Sequence, residues 1–272
     1  MLKNKMLNTL ILSVLSTPGI VFADDVPAAA TSAAAAPVVT SNMALVTNYL
    51  YRGLSQSGGN PAIQGGLDYS SASGFYIGTW GSSISWIGDG TQSNSTPVTT
   101  TSTTSSAGLE LDTYLGFKNS FATDYSYDVG YLRYNYPGHY ATGATKADTD
   151  EIYALIGYKW LSAKYSYALS NLFGAPNTTG SNYVDLSASY ALGDSGFALG
   201  AHYGIQSYQG SGATVSGNSL TYSDYKVSIN KDMSGYVLGL TWSNTNATSA
   251  WINPQGYQEG QCVIVASLLR TF

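Results

Sequence analysis

The 272-residue chain holds two histidines and one cysteine, so few side chains could act as a base or a nucleophile. His139 follows a Pro-Gly pair, and Asp148 and Asp150 come soon after it. A membrane hydrolase needs a nucleophile or a water activated by an adjacent base, and these three residues are the one rough candidate. His202 lies within a predicted strand, where the abundance of serine makes a serine neighbour expected by chance. We predict no catalytic residue.

The sequence lacks the residues that a metal site, a cofactor site or a disulfide would need. Cys262 is the single cysteine and has no partner for a disulfide. One cysteine without a close pair of histidines gives no metal-ligand spacing, and no glycine loop leads into a helix to hold phosphate. The formal net charge of −5 makes nucleic acid a poor partner. We therefore expect no metal, no cofactor and no nucleic acid.

The charged side chains recur at alternate positions of strand-like segments, which would place them in the interior of a barrel. Five acids are expected towards the outer mouth, where three basic residues oppose them. Two lysines and one acid are expected towards the periplasm, and one histidine is expected at mid-height. These candidate lumen residues are Glu110, Asp112, Glu151, Asp185 and Asp224, then Arg52, Lys226 and Arg133, then Lys159, Lys164 and Asp68, and His202. Their excess of acid outside predicts a weakly cation-selective or charge-asymmetric passage.

Twelve segments with period-two patterning position these residues. The connections between them alternate strictly between short and long, which is typical of a transmembrane barrel with tight periplasmic turns and longer outer loops. The segments are 42–54, 61–70, 74–86, 108–118, 124–137, 150–160, 162–170, 181–192, 196–208, 221–231, 235–245 and 260–272. In segment 124–137, Asp128 and Arg133 have opposite parity, and we place Arg133 inside and Asp128 at the periplasmic rim.

Composition favours the same architecture. The chain has 23 tyrosines, 30 glycines and only 10% charged residues, against about 25% in soluble domains. Low charge with abundant tyrosine suits an outer face that meets lipid and rims that carry aromatic girdles. We therefore predict an all-β fold, an antiparallel up-and-down transmembrane barrel of about twelve strands. A secreted β-sandwich needs the same alternation but gives no reason for alternating loop lengths.

The two ends of the chain indicate export. Residues 1–23 combine a basic start, a short apolar run and a small-residue site before Asp24, as in a cleaved secretory signal. Residues 24–40 form an Ala/Pro-rich periplasmic linker, and the barrel is expected over 41–272. Phe272 closes a strand-like segment, which resembles the signal read by the barrel-insertion machinery. We expect the bacterial outer membrane as location, with its lipid and that machinery as partners.

Five stretches resemble a known family. They are 48–57, which contains Tyr-Arg-Gly-Leu-Ser, together with 61–69, 74–82, 110–112 and 128–138. They are similar to the proteobacterial outer-membrane family labelled Gcw_chp, over essentially the whole mature chain. The resemblance implies an outer-membrane β-barrel of largely uncharacterised function, and it carries over no catalytic residue and no ligand.

Three functions remain open. We favour a narrow porin or substrate-specific channel for small solutes. The alternatives are a non-conducting structural or adhesive surface barrel, which would act through the Thr/Ser-rich loop at 87–107, and an outer-membrane hydrolase. Arg52 beside Gly53 could bind an anion or form a salt bridge inside the barrel, and the salt bridge is preferred. Trp80 and Trp86 could stack on a sugar, but residues of an interfacial girdle are the preferred interpretation.

Overall fold

The computed structural model describes residues 37–89, 105–140, 142, 145–253 and 255–272. Twelve long strands form a closed antiparallel barrel, and two short hairpins lie in its loops. In chain order the strands are β1 (Val38–Val46), β2 (Leu50–Tyr51), β3 (Leu54–Ser55), β4 (Ala62–Ser70), β5 (Phe75–Ser83), β6 (Leu109–Phe121), β7 (Tyr125–Asn135), β8 (Thr149–Tyr158), β9 (Leu161–Ala168), β10 (Asn182–Ala191), β11 (Phe197–Ser207), β12 (Thr214–Val215), β13 (Asn218–Ser219), β14 (Tyr222–Met233), β15 (Tyr236–Thr245) and β16 (Val263–Thr271). The predicted fold class is confirmed.

Helical structure is confined to short turns within the described residues. Trp86–Asp89 forms one α-helical turn, and Leu172–Gly174, Gly193–Ser195 and Ser249–Trp251 form 3₁₀ turns. In that part of the chain, no helix has the length and apolarity needed to cross a membrane.

The barrel closes where β1 pairs with both β16 and β4. Leu45 lies opposite Leu268 on one side and Ile63 on the other. Backbone hydrogen bonds between Ser41 and Phe272, at 2.8 and 3.1 Å, extend the closing seam. A closed barrel leaves no unpaired strand edge, as a structure that spans lipid requires.

Side chains alternate strictly between the outer face and the lumen. On β8, Ile152 and Ile156 are exposed on the outside, whereas Glu151 and Tyr153 are buried inside. Aromatic residues form a girdle at the end of the barrel that carries the short turns, where the Phe121, Tyr125 and Tyr158 rings follow one another at centroid distances of 5.4 and 4.8 Å. An apolar outer face with an aromatic rim is the expected surface of a transmembrane barrel.

The connections alternate in length as predicted. We call the end with the short connections the short-turn end and the opposite end the long-loop end. The short connections are 71–74, 122–124, 159–160, 192–196 and 234–235, and the long ones are 47–61, 84–108, 136–148, 169–181, 208–221 and 246–262.

The first strand differs most from the prediction. It was expected over 42–54, but β1 runs from Val38 to Val46, so it also takes up the last three residues of the expected linker 24–40. Residues 47–61 then leave the barrel wall. The expected signal at 1–23, residues 24–36 of that linker and much of the Thr/Ser-rich loop lie outside the described residues.

Candidate functional site

Residues 47–61, here called the inward loop, fold back into the lumen from the long-loop end. Within the loop, β2 and β3 form a hairpin whose two turn residues, Arg52 and Gly53, have φ values of 44° and 76°. Two positive φ values are typical of the tightest hairpin turns, and the second position favours glycine. All residues from Tyr49 to Ser57 are buried, so the loop occupies the interior of the barrel.

Arg52, at the tip of the inward loop, is bound to the barrel wall. Its guanidinium makes a bidentate contact with Glu151 on β8, at 3.1 and 2.8 Å, and donates to Gln206 Oε1 on β11 at 2.7 Å. The Tyr183 and Tyr51 rings lie 4.4 and 4.8 Å from its central carbon. Bidentate charge-assisted contacts are among the strongest hydrogen bonds in proteins. Arg52 therefore forms a salt bridge inside the barrel, which was the preferred of its two possible roles.

The rest of the inward loop is held by polar and aromatic contacts. Asn48 Oδ1 accepts hydrogen bonds from Ser55 and Ser57 at 2.6 and 3.1 Å, and the Ser55 backbone N–H donates to the Glu259 carbonyl at 2.9 Å. The Tyr51 hydroxyl donates to the Tyr134 hydroxyl at 2.7 Å. The loop is therefore an ordered constriction in the long-loop half of the lumen.

Acidic residues lie near the constriction. Glu110 and Asp112 on β6 are buried on the same lumen face, and Glu151 shares this region with them. Glu151 is committed to Arg52 by the bidentate contact. Asp112 Oδ1 has no hydrogen-bond partner among the described residues.

His202 on β11 lies between two aspartates at mid-height. Its Nδ1 is 3.0 Å from Asp185 Oδ2 and its Nε2 is 2.9 Å from Asp224 Oδ1. Ser187 Oγ is 3.1 Å from the same Nδ1 but donates to Asp185 at 2.6 Å. Because both ring nitrogens face carboxylates, neither is placed to accept the serine proton, as a general base would have to.

Tyrosine rings lie along the lumen wall in the short-turn half. Tyr76, Gly116, Gly130 and Tyr153 are successive partners in one row across β5, β6, β7 and β8. The Tyr76 and Tyr153 hydroxyls are hydrogen-bonded to each other, and Tyr76 donates to Asp128 at 2.6 Å. A Cβ atom at Gly130 would lie 2.6 Å from the Tyr153 ring. The two glycines thus leave room for the rings to lie flat against the wall.

Two lysines and a further acid continue the charged lining in this half. Lys118 Nζ lies 5.0 Å from the Tyr76 ring centroid, and Lys164 Nζ lies 4.6 Å from that of Tyr153. Asp68 accepts a hydrogen bond from Tyr114 at 2.6 Å. Charges of both signs therefore line the lumen in both halves.

The wall formed by β14, β15 and β16 carries several small polar side chains in addition to Tyr222, Asp224 and Lys226. Asn230 Oδ1, Thr241 Oγ1, Ser243 Oγ and Ser267 Oγ are buried and have no hydrogen-bond partner among the described residues. Buried polar atoms in native proteins are hydrogen-bonded, to ordered water where no protein group is available. This polar wall is therefore a path suited to water.

Ten of the twelve predicted lumen residues lie in the lumen, and two do not. Arg133 is 40% exposed on the outer face near the long-loop end, because the directly opposite Asp150 on β8 binds it there at 2.9 Å. The predicted parity of segment 124–137 was wrong, and Asp128 is the lumen residue. Lys159 lies in a turn with φ of 54°, exposed and 3.6 Å from Asp124, because β8 ends one residue before it.

Several residues of the lumen were missed or misplaced. Trp80 and Trp86 are buried inside the barrel and not in a girdle. Asp128, Lys118 and Gln206 were not among the candidate lumen charges or binding groups. The alternation of Asp128 with Gly130, Leu132 and Tyr134 was available as a signal, but Arg133 was expected inside because it could reach acids on the neighbouring strands.

His139, Asp148 and Asp150, the candidate group for hydrolysis, contact other residues. His139 exchanges backbone hydrogen bonds with Ser106 at 2.8 and 3.1 Å. Asp148 and Asp150 are ion-paired with Arg133 at 3.6 and 2.9 Å. The two carboxylates therefore have a cation as their partner.

Comparison with solved structures finds other barrels. The KdgM porin is 9% identical, with 86% of this chain and 99% of that chain covered and a TM-score of 0.48. An outer membrane channel from Pseudomonas putida F1 is 13% identical, with 88% and 97% covered and a TM-score of 0.46. Acinetobacter baumannii OccAB3 is 9% identical, with 84% and 59% covered and a TM-score of 0.43. No function is transferred at this level of similarity.

Sequence comparison identifies the family. No curated protein matches the chain. The model of the Gcw_chp family, described as a bacterial protein of unknown function, matches residues 29–272, which includes every barrel strand. This chain, a closed barrel with an inward loop, therefore belongs to the Gcw_chp family.

Proposed function

We propose that the protein is a bacterial outer-membrane channel for small solutes, with a passage that the inward loop constricts. It would reach that membrane after export and cleavage of its signal, with the help of the barrel-insertion machinery. The observation that carries the proposal is the polar wall of β14–β16, where buried Thr241, Ser243 and Ser267 oxygens have no partner among the described residues. Polar oxygens on one wall and charges in both halves support a hydrated lumen.

The inward loop accounts for a narrow passage. A barrel of eight strands is filled by its side chains and one of sixteen to eighteen leaves an open channel, so twelve strands lie between these cases. Here Arg52 fills part of the cross-section through its contacts with Glu151 and Gln206.

A non-conducting structural barrel is the second candidate, and the burial of the inward loop favours it. Arg52 and Glu151 are each 2% exposed, and a buried pair of this kind can serve a static core. The adhesive variant of this candidate depends on the loop at 87–107, most of which lies outside the described residues. The hydrolase has the least support, because His202 is held between two carboxylates.

Planar bilayer conductance of the refolded protein tests the channel. We expect small conductance steps from the wild type and larger steps after residues 50–56 are replaced by a short Gly-Ser turn. The matched control is a replacement of equal length at 211–217, a mainly exposed segment of the loop after β11. Conductance absent from the wild type and from the 50–56 replacement, with both proteins folded, would favour the structural barrel.

A further inference from the structure

Beside the inward loop, a cavity of about 30 Å³ lies at the long-loop end, among residues of the long connections. Six aromatic rings line it: Tyr51, Trp86, Phe173, Tyr208, Tyr222 and Trp251. One carboxyl group, that of Glu259, shares the lining. We call this site the outer cavity.

Glu259 is buried without a cation to balance it in the contacts that the structure describes. Its side chain is 3% exposed, and Oε1 has no hydrogen-bond partner among the described residues. Asp89, a like charge, acts on it as well. Burying a carboxyl group without a partner is costly, so a fold that keeps one in a cavity has a use for it.

The cavity wall is built and not incidental. The Glu259 backbone N–H donates to the Trp251 carbonyl at 2.9 Å, which places the carboxyl group beside the indole. Tyr222 and Tyr208 pack on Trp251 at centroid distances of 5.6 and 6.0 Å. Phe173 adopts a left-handed conformation, with φ of 46° and ψ of 44°, and such strain in a non-glycine residue is concentrated at ligand sites.

We propose that the outer cavity binds an organic ammonium head group, with Glu259 as its counter-ion and the aromatic rings as its walls. Aromatic rings attract cations through their faces, and a carboxylate adds the opposite charge. The volume is about twice what one water molecule needs, so a group of the size of methylammonium fits. No group of three metal-ligating side chains occurs in the described part of the chain.

Calorimetric titration of the folded full-length protein in detergent with methylammonium chloride, at pH 9 and constant ionic strength, tests the site. We expect saturable binding that Glu259→Gln weakens at least tenfold, because the amide keeps the size and the backbone contacts but removes the charge. Asp194→Asn is the matched control, since it removes an exposed carboxylate at the short-turn end. Equal affinity in the wild type and Glu259→Gln, or no saturable binding by the wild type, would overturn the proposal.

Trp251→Leu provides a second test that leaves the carboxyl group in place. It should weaken methylammonium binding severalfold, and retention of full affinity would contradict an aromatic wall. Each variant is first checked for folding by its shift on unheated gels. The proposal is separate from conduction. A protein that binds methylammonium without conducting supports this site and contradicts the channel. A protein that conducts without binding methylammonium supports the channel and contradicts this site.

Discussion

The Arg52 guanidinium, on a loop, lies 2.8 Å from Glu151 Oε2, on the barrel wall, and both side chains are 2% exposed. This contact joins the tip of the inward loop to β8 across the lumen. Removing one member of a buried pair costs about 3–5 kcal/mol, since it leaves the other charge uncompensated. The position of the loop therefore depends strongly on this one link.

Arg52→Ala should raise single-channel conductance, because it frees the loop tip from both Glu151 and Gln206. Glu151→Ala should also raise it, and the double variant should add little, since all three break the same link. Bilayer recordings measure the steps. Lys146→Ala, which removes an exposed charge in a long loop, is the control. Conductance that stays at the wild-type level in all three variants would show that the loop does not constrict the passage.

The barrel could be predicted because its signals are local. Alternation of apolar and polar residues determines the lipid and lumen faces of each strand, and the turns determine where strands end. The inward loop could not be predicted in this way, because Leu50, Tyr51 and Leu54 look like the continuation of a strand. What ends β1 is the fit of Arg52 to Glu151 and Gln206, which are far away in sequence.

The residues that face the lumen could also be predicted only in part. Glu110, Asp185 and Asp224 follow from parity alone. Arg133 does not, because its outward position is stabilised by Asp150 on the neighbouring strand. Lys159 shows the other limit, since the strand was predicted to end at residue 160 but ends at Tyr158, and this shift of two residues places Lys159 in a turn.

Gly130→Ala should reduce conductance. The new methyl group would lie within about 2.6 Å of the Tyr153 ring and force that ring away from the wall into the lumen. The double variant Gly130→Ala with Tyr153→Ser removes the displaced ring and should raise conductance above that of Gly130→Ala, while the contact of the new methyl group with the Leu115 carbonyl oxygen, at 2.8 Å, remains. Gly88→Ala is the control, because a Cβ there meets nothing closer than 4.0 Å. Unchanged conductance in Gly130→Ala would show that the Tyr153 ring does not border the passage.

Glu110→Gln combined with Asp112→Asn should shift selectivity towards anions, because these acids lie beside the constriction and focus negative potential there. The reversal potential in a salt gradient measures the shift. Glu151 is left intact, since its replacement would also release Arg52 and change the width of the passage. A reversal potential equal to that of the wild type would exclude these two acids from the filter.

Removal of Phe272 should lower the amount of assembled barrel. Phe272 exchanges two backbone hydrogen bonds with Ser41 at the closing seam, and its ring is 69% exposed on the outside. Heat-modifiable protein in the outer-membrane fraction measures assembly. Phe272→Tyr, which keeps an aromatic ring there, should assemble normally. Equal assembly with and without the residue would show that neither the seam nor an insertion signal depends on it.

Methylammonium affinity should rise with pH. Burial, with the like charge of Asp89, raises the pKa of Glu259 to about 9, so the free site holds a neutral carboxyl group at pH 7. A bound cation favours the carboxylate, and binding therefore releases a proton. Affinity should increase by up to about tenfold per pH unit below pH 9 and level off above it. An amine like that of lysine stays charged over most of this range.

Other groups around the outer cavity do not alter this sign. Burial raises the pKa of the Tyr208 phenol above its usual range, Asp89 already contributes to the raised pKa of Glu259, and Arg52 is paired with Glu151. Glu259→Gln should therefore bind weakly and with no dependence on pH. Because the folded state holds the Glu259 proton between the ordinary carboxyl pKa and about 9, this group should also make unfolding easier as pH rises through that window. A wild-type affinity that falls or stays flat between pH 6 and pH 9 would remove Glu259 as the counter-ion.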